Sequence, residues 1–284
     1  MTEKTYIAAL LLAGLMALMP TAVHAQQIDP VTGQVINNNA VKKSYLLSLS
    51  TFFNTNLYDF QNKDDKAFAN SSTVAVTYTL KSGYRIASSI GVAKDLTGER
   101  KLLARDSSVR LIKSFGKLNE YFYLAGSAAL TLPFSKASHK TAGLITRLRI
   151  APTLIINIKD FIPAGNLFYS PSISSSLHEF KTLSNGESNS QHSIGHSLAF
   201  GYSFLNAFYV QISGAYARRW TYEGRSNDAY SLDQSLNYTI GQGFTAVTGH
   251  SIGGNALASN GQNSDVQIFD SRESSFYMGL DYTY

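Results

Sequence analysis

The sequence predicts an all-β chain closed into an antiparallel, up-and-down transmembrane β-barrel of about twelve strands. Three observations predict it. From Ser44 onward, apolar residues alternate with small or polar ones at a period of two, the side-chain period of a strand rather than a helix. The small-residue faces, among them Ser172/Ser174/Ser176, Gly195/Ser197/Ala199/Gly201/Ser203 and Ala87/Ser89/Gly91/Ala93, cannot fill an interior at protein density. Their partner faces are Leu, Ile, Val, Tyr and Phe. Hydrocarbon outside and water inside satisfy both faces, and closing the sheet leaves no unpaired edge. Finally, short turns alternate with longer loops, the asymmetry of a barrel whose rims face two compartments.

Composition agrees. Only 15% of the 284 residues are charged while 12% are aromatic, with 17 Tyr; soluble domains carry about 25% charged residues. Mean hydropathy is −0.08, the middling value produced by an apolar outside and a Ser, Thr, Gly and Asn inside. Cysteine is absent, so neither a disulfide framework nor a thiolate metal site exists. The net charge of +5 comes from dispersed Lys and Arg with no dense cluster interleaved with stacking aromatics, which argues against nucleic acid as a partner.

In chain order, residues 1–25 read as a secretory signal peptide. Lys4 precedes an apolar run from Ile7 to Met19 that is too short to span a bilayer comfortably, Pro20 breaks it, and Val23-His24-Ala25 offers a small-x-small cleavage site. Beyond it no run of eighteen apolar residues occurs. Residues 26–42, with Asp29-Pro30 and Asn37-Asn38-Asn39, are polar and turn-rich, a periplasmic tail or a plug for the barrel mouth. The barrel occupies 43–284. Its first strand puts Tyr45, Leu47, Leu49 and Phe53 outward. A polar loop follows, in which Asn62-Lys63-Asp64-Asp65-Lys66 lacks calcium-loop spacing. Val74, Val76, Tyr78 and Leu80 precede the turn Lys81-Ser82-Gly83 and a strand carrying Tyr84, Ile86, Ile90 and Val92, which together form a hairpin.

A charged connection, 94–104, leads to Val109 and Leu111, a turn near Gly116-Lys117-Leu118-Asn119, and Phe122, Leu124, Ala128, Leu130 and Leu132. The sixth strand sends Leu144, Leu148, Ile150, Leu154 and Ile156 outward against Arg147, Arg149, Thr153 and Asn157. The seventh sends Leu167, Tyr169, Ile173 and Leu177 outward. Pro152 and Pro171 fall on these outward faces and, lacking the amide a ladder uses, are expected to mark bulges or frayed ends. Strands at 194–203, 208–220, 230–240, 244–252 and 275–284 complete the count. Five short turns then alternate with six longer loops, and even parity puts both chain ends at the periplasmic rim. Tyr84, Phe122, Phe208, Tyr230, Phe244 and Tyr284 near strand ends suit interfacial girdles.

The closing strand points Phe276, Met278, Leu280, Tyr282 and Tyr284 one way and mostly Ser, Gly, Asp and Thr the other, ending the chain on an aromatic residue. In this it resembles bacterial outer-membrane β-barrel proteins, whose aromatic-ended terminal strand is read by the barrel assembly machinery. The resemblance implies an outer-membrane location, a partnership with that machinery, and contact with outer-membrane lipids and lipopolysaccharide.

Twelve strands leave a narrow bore. The phasing sends Arg85, Arg110, Arg147, Arg149 and Arg219 into it, with Tyr121, Tyr123 and Tyr209, against fewer inward acids, chiefly Asp233 and Asp281. Fixed guanidinium groups in a confined pore attract anions and offer forked donors to carboxylate or phosphate. The expectation is a porin for small polar or anionic solutes; the competing expectation is that the arginines pair with Asp106, Asp233 and Asp281 to stiffen the wall. A one-residue slip would send Arg218 inward and Arg219 out. The arrangement is similar in a general way to the small porins for acidic sugars, also twelve-stranded and arginine-lined.

Two other classes stand beside this one. A structural or adhesion barrel would work through loops 57–70, 179–191 and 253–263. An outer-membrane lipid hydrolase needs a base beside its nucleophile; the barrel phospholipases place Ser two residues after His, whereas Leu198 follows His196 and Ile252 follows His250. No catalytic, cofactor-binding or metal site is therefore assigned. His178, His192 and His196, expected near one rim, lack ligand spacing.

Overall fold

The computed structural model describes residues 27–28, 35–36, 44–56, 68–97, 100–183, 185–205, 207–258, 263–270 and 273–284. The signal peptide, nearly all of the tail, the Asn62–Lys66 cluster and the tip of the glycine-rich loop at 259–262 lie outside them.

Twelve antiparallel staves form one closed sheet: β1 Tyr45–Asn56, β2 Ala69–Thr79, β3 Tyr84–Asp95, β4 Ser107–Lys117, β5 Phe122–Leu132, β6 Leu144–Asn157, β7 Gly165–His178, β8 Ser190–Phe204, β9 Phe208–Thr221, β10 Ser226–Gly241, β11 Phe244–Asn255 and β12 Ser275–Thr283. Each pairs with its sequence neighbour, and β12 closes the ring on β1 from Ser275↔Asn56 to Thr283↔Ser48. A short strand, Leu102–Ala104, lies on β3 beside Val92–Lys94 as an upward continuation of β4, interrupted at Arg105 and Asp106.

The pleat sorts the side chains as their chemistry requires. Val74, Val76, Ile90, Leu111, Leu148, Ile150, Ile173, Leu198, Ile212, Met278 and Leu280 are exposed on the outer face, a band that only hydrocarbon can bury. At the rim formed by the short turns this band ends in a run of rings. Tyr202, Phe204, Phe208 and Tyr238 stack in sequence with centroids 6.2, 5.3 and 4.8 Å apart, and Phe244 meets Tyr282 at 4.6 Å. Tyr45 lies opposite Tyr78, with Tyr84 nearby beneath the Lys113 ammonium at 4.2 Å. Amphipathic rings and a snorkelling cation fit an interface between hydrocarbon and water. Of the expected girdle residues, Tyr230 is instead buried, its hydroxyl accepting from the Gln267 amide at 3.0 Å.

Four further expectations change on contact with the fold. The fifth long connection is a tight turn at 222–225, because β9 and β10 remain paired up to Trp220↔Ser226. Leu144 is buried rather than lipid-facing, since a bulge at Ile145 shifts the register between Leu177↔Thr146 and His178↔Leu144. His196 is not at a rim; it sits within the β7–β8 ladder opposite Pro171, its ring stacked on Tyr169 with Tyr169 Oη 2.8 Å from Nδ1. Pro152 and Pro171 mark neither bulges nor strand ends. They lie inside β6 and β7, and the register is the same on both sides of them, Tyr169↔Leu154 before and Ile173↔Ile150 after. The ladder simply lapses between those pairs, where the two prolines face each other.

Candidate functional site

Following the register from strand to strand shows what alternation within one strand cannot. Ala87 lies opposite Arg110, Arg110 opposite Ala129, and Ala129 opposite Arg149. Arg149 lies opposite Ser174, Ser174 opposite Ser193, and Ser193 opposite Arg219. Three arginines thus share one row of the inner wall. At about 4.8 Å per strand, two strands separate Arg110 from Arg149 by about 10 Å of wall and three separate Arg149 from Arg219 by about 14 Å. Arg147 sits one inward position away on β6, opposite Thr131 and Ser176.

Arg147, Arg149 and Arg219, with Ser172, Ser174, Ser176 and Ser193, line a cavity of about 400 Å³. Serine hydroxyls fix the guanidinium groups: Arg147 Nε donates to Ser176 Oγ at 2.9 Å and Arg149 Nη2 to Ser172 Oγ at 3.3 Å. The hydroxyls of Ser174 and Ser193 share a hydrogen bond of 2.7 Å between Arg149 and Arg219. Among the described residues no ion pair joins Arg147, Arg149 or Arg219 to a carboxylate. The acids proposed as their partners are engaged elsewhere. Asp106 accepts from the Ser135 amide at 2.9 Å and from the Ser138 hydroxyl, and Asp233 accepts from Tyr277 Oη at 3.1 and 3.0 Å. Arg218 points outward and holds Asp228 in a bidentate pair at 2.7 Å, with both bonds drawn from one guanidinium edge. Polar groups thus face a positively charged, hydroxyl-lined space with donors to spare, an arrangement suited to an anion or a polyhydroxylated solute.

The remaining predicted lumen residues lie away from this chamber. Arg85 is near the short-turn rim, opposite Thr79 and Ile112. Tyr121 belongs to the turn before β5, where its amide donates to Asn119 Oδ1 at 2.9 Å. Tyr123 faces inward at the same rim, its hydroxyl against Ser114. Tyr209 is 2% exposed and lies across Gly201, where any Cβ would collide with its hydroxyl. Tyr277 covers Gly249 in the same way.

Loops frame the long-loop rim near the chamber. Buried Asn189 donates to the carbonyls of Ala142 and Phe180, both at 2.9 Å, and Tyr222 Oη accepts from the His178 amide at 3.2 Å while donating to the Ser176 carbonyl at 3.1 Å. None of these links is visible in linear spacing. One pairing bears on hydrolase chemistry: His250 Nε2 lies 2.9 Å from Ser274 Oγ. That serine is fully buried and already accepts from the Asp270 amide at 3.0 Å, so it ties down a loop and presents no nucleophile. Among the described residues no cluster of three metal-ligating side chains occurs.

No protein-family model and no curated protein sequence matches the chain. Solved structures do. An outer-membrane channel from Pseudomonas putida F1 superposes with a TM-score of 0.56 at 8% identity, over 88% of this chain and 100% of that one. The NanC porin superposes with a TM-score of 0.54 at 11% identity, over 83% and 98%. At such identities the likeness is one of fold: the chain has the closed antiparallel twelve-stranded barrel of bacterial outer-membrane porins.

Proposed function

We propose that the protein is an outer-membrane porin whose narrow bore admits small polar solutes and favours anionic ones. The observation that supports this most is the set Arg147, Arg149 and Arg219 over a chamber of about 400 Å³, the first two held there by serine hydroxyls, with Arg110 in the same row as Arg149 and Arg219. In a confined, low-dielectric bore such fixed charges raise the local anion concentration and speed entry. On this reading residues 1–25 direct export and are removed, 26–42 form a tail or plug, and both chain ends lie on the periplasmic side. The strand ending Phe276, Met278, Leu280, Tyr282 and Tyr284 addresses the assembly machinery, and the outer band contacts outer-membrane lipid and lipopolysaccharide. The reading assigns no enzymatic step and no cofactor.

Reversal potentials across a planar bilayer with a salt gradient test it. The wild-type barrel is expected to pass anions over cations, and Arg147→Ser with Arg149→Ser to bring the permeability ratio close to one. Cation preference, or unchanged selectivity in the double variant, removes the arginines from the mechanism. A second reading, a structural barrel working through its loops, has one observation in its favour. Ile112, Ala125, Tyr209 and Val247, all on inward positions below the chamber, are buried. A correctly folded barrel that gives no conductance steps would establish that reading instead.

A further inference from the structure

Away from the rims, ten of the barrel's strand pairs run unbroken; β3–β4 breaks with a change of register at Arg105 and Asp106, and β6–β7 lapses with its register kept. Directly opposed residues in an antiparallel ladder either exchange two N–H···O bonds or none. Placing proline on both sides of one exchanging pair deletes both bonds at once, which accounts for pairing that stops at Tyr169↔Leu154 and resumes at Ile173↔Ile150 without a change of register.

What crosses this gap comes from the lumen. Ser170 Oγ donates to the Pro152 carbonyl at 2.8 Å and lies 3.0 Å from Thr153 Oγ1. Just above, Arg149 reaches Ser172 and Arg147 reaches Ser176, both from β6 to β7. Among the described residues every side-chain hydrogen bond between these strands is on the inner face. Outside, the nearest polar pair, Tyr169 with His196, joins β7 to β8 instead. Arg149 braces the lapsed stretch itself through Ser172, and Arg147 braces the resumed ladder beside it through Ser176; both guanidinium groups also line the chamber, so an anion there competes with Ser172 and Ser176 for their donors.

We propose that the β6–β7 seam is the yielding joint of the barrel wall and that Arg147 and Arg149 are its latch, released when an anion occupies the chamber. This rests on the chamber being an anion site, and it adds that occupancy and wall flexibility are coupled. An anion that draws the guanidinium groups toward the axis leaves β6 and β7 held only by Ser170 and Thr153 over the lapsed stretch, and the chamber widens there.

Amide hydrogen exchange of the detergent-folded barrel tests the coupling. Segments 150–154 and 169–173 are expected to exchange at least tenfold faster than 194–198 and 214–217 of the unbroken β8–β9 pair. Sodium gluconate, against sorbitol at equal concentration, is expected to speed the seam several-fold and leave β8–β9 unchanged. Arg147→Ser with Arg149→Ser should reproduce the fast seam without gluconate and make it indifferent to gluconate. Pro152→Ala with Pro171→Ala should slow the seam to the rate of β8–β9. A wild-type seam as protected as β8–β9, or one insensitive both to gluconate and to loss of the arginines, overturns the proposal. If gluconate has no effect while reversal potentials still show anion preference, the latch is wrong and the porin reading survives. If gluconate and the arginine variants both loosen the seam but reversal potentials show no anion preference, the latch stands and the anion-selective porin reading falls.

Discussion

The two halves of the lumen are built by the same staves from different materials. Toward the long-loop rim the inner wall carries Arg147, Arg149 and Arg219 among serines, around an open chamber, with Arg110 farther along the same row. Toward the short-turn rim the inward positions carry Ile112, Ala125, Tyr209 and Val247, all buried, with the Tyr209 ring lying over Gly201. Along β9 alone, Arg219 and Tyr209 are ten residues apart, about 33 Å of strand. On the proposed porin reading, selectivity and patency fall in different places: the chamber would choose among solutes, and the packed half would set how much passes.

The comparison is most easily broken at Tyr209. Truncation to Ala removes a buried ring and leaves a hole beneath Gly201; aromatic-to-alanine changes at packed sites cost about 3–5 kcal/mol. The expected outcome is a marked fall in the temperature at which the folded band disappears in heat-modifiability gels, together with larger single-channel conductance and unaltered ion preference. If conductance does not rise, the short-turn half is not the constriction. Arg149→Ser should do the reverse, shifting ion preference while changing stability by no more than about 1 kcal/mol, since its partner is one hydroxyl at 3.3 Å.

A smaller effect is expected at the glycine that accepts the ring. A Cβ at Gly201 would strike the Tyr209 hydroxyl and ring, so Gly201→Ala should destabilise by about 1–3 kcal/mol through overpacking. The diagnostic measurement is a double-mutant cycle. With Tyr209 already Ala, the added methyl should become nearly neutral, and an equal loss in both backgrounds would show that the two positions are independent.

These regions were not equally legible in the sequence. Alternation placed Arg147, Arg149 and Arg219 on inward positions and fixed the strand count, because a lipid-facing strand tolerates no ambiguity of face. It could not reveal that Arg110, Arg149 and Arg219 share a row, since that depends on register across five strand pairs. Nor did it pair Pro152 with Pro171, which are nineteen positions apart and meet only because the β6–β7 hairpin has the length it does. Tyr121 was sent inward by extending the alternation one residue past the strand end, where the turn takes over. Burial of Ile112 and Val247 also escaped prediction, because an isolated apolar residue on a polar face carries no period.

The smallest expected effect concerns the rim beside the chamber. Burial pushes the Asp106 carboxyl up, but hydrogen bonds from the Ser138 hydroxyl and the Ser135 amide outweigh it, and with Arg147 nearby they hold the group below its ordinary value of 3.8. A carboxylate whose folded value is depressed contributes its full stabilisation above the unfolded value and loses it as pH falls through the folded one. The link between the start of β4 and the connection at 133–143 should therefore be intact at pH 5 and weaken below about pH 4. Because the carboxyl is partly exposed, the contribution is set at under about 1 kcal/mol. Pepsin cleavage within 133–143, measured from pH 4.5 down to 2 and normalised to an unstructured substrate, should accelerate in the wild type. In Asp106→Asn it should be faster at pH 4.5 and lack that acceleration. Identical profiles would mean that the π-helical turn Ala137–Thr141 holds its place without the carboxylate.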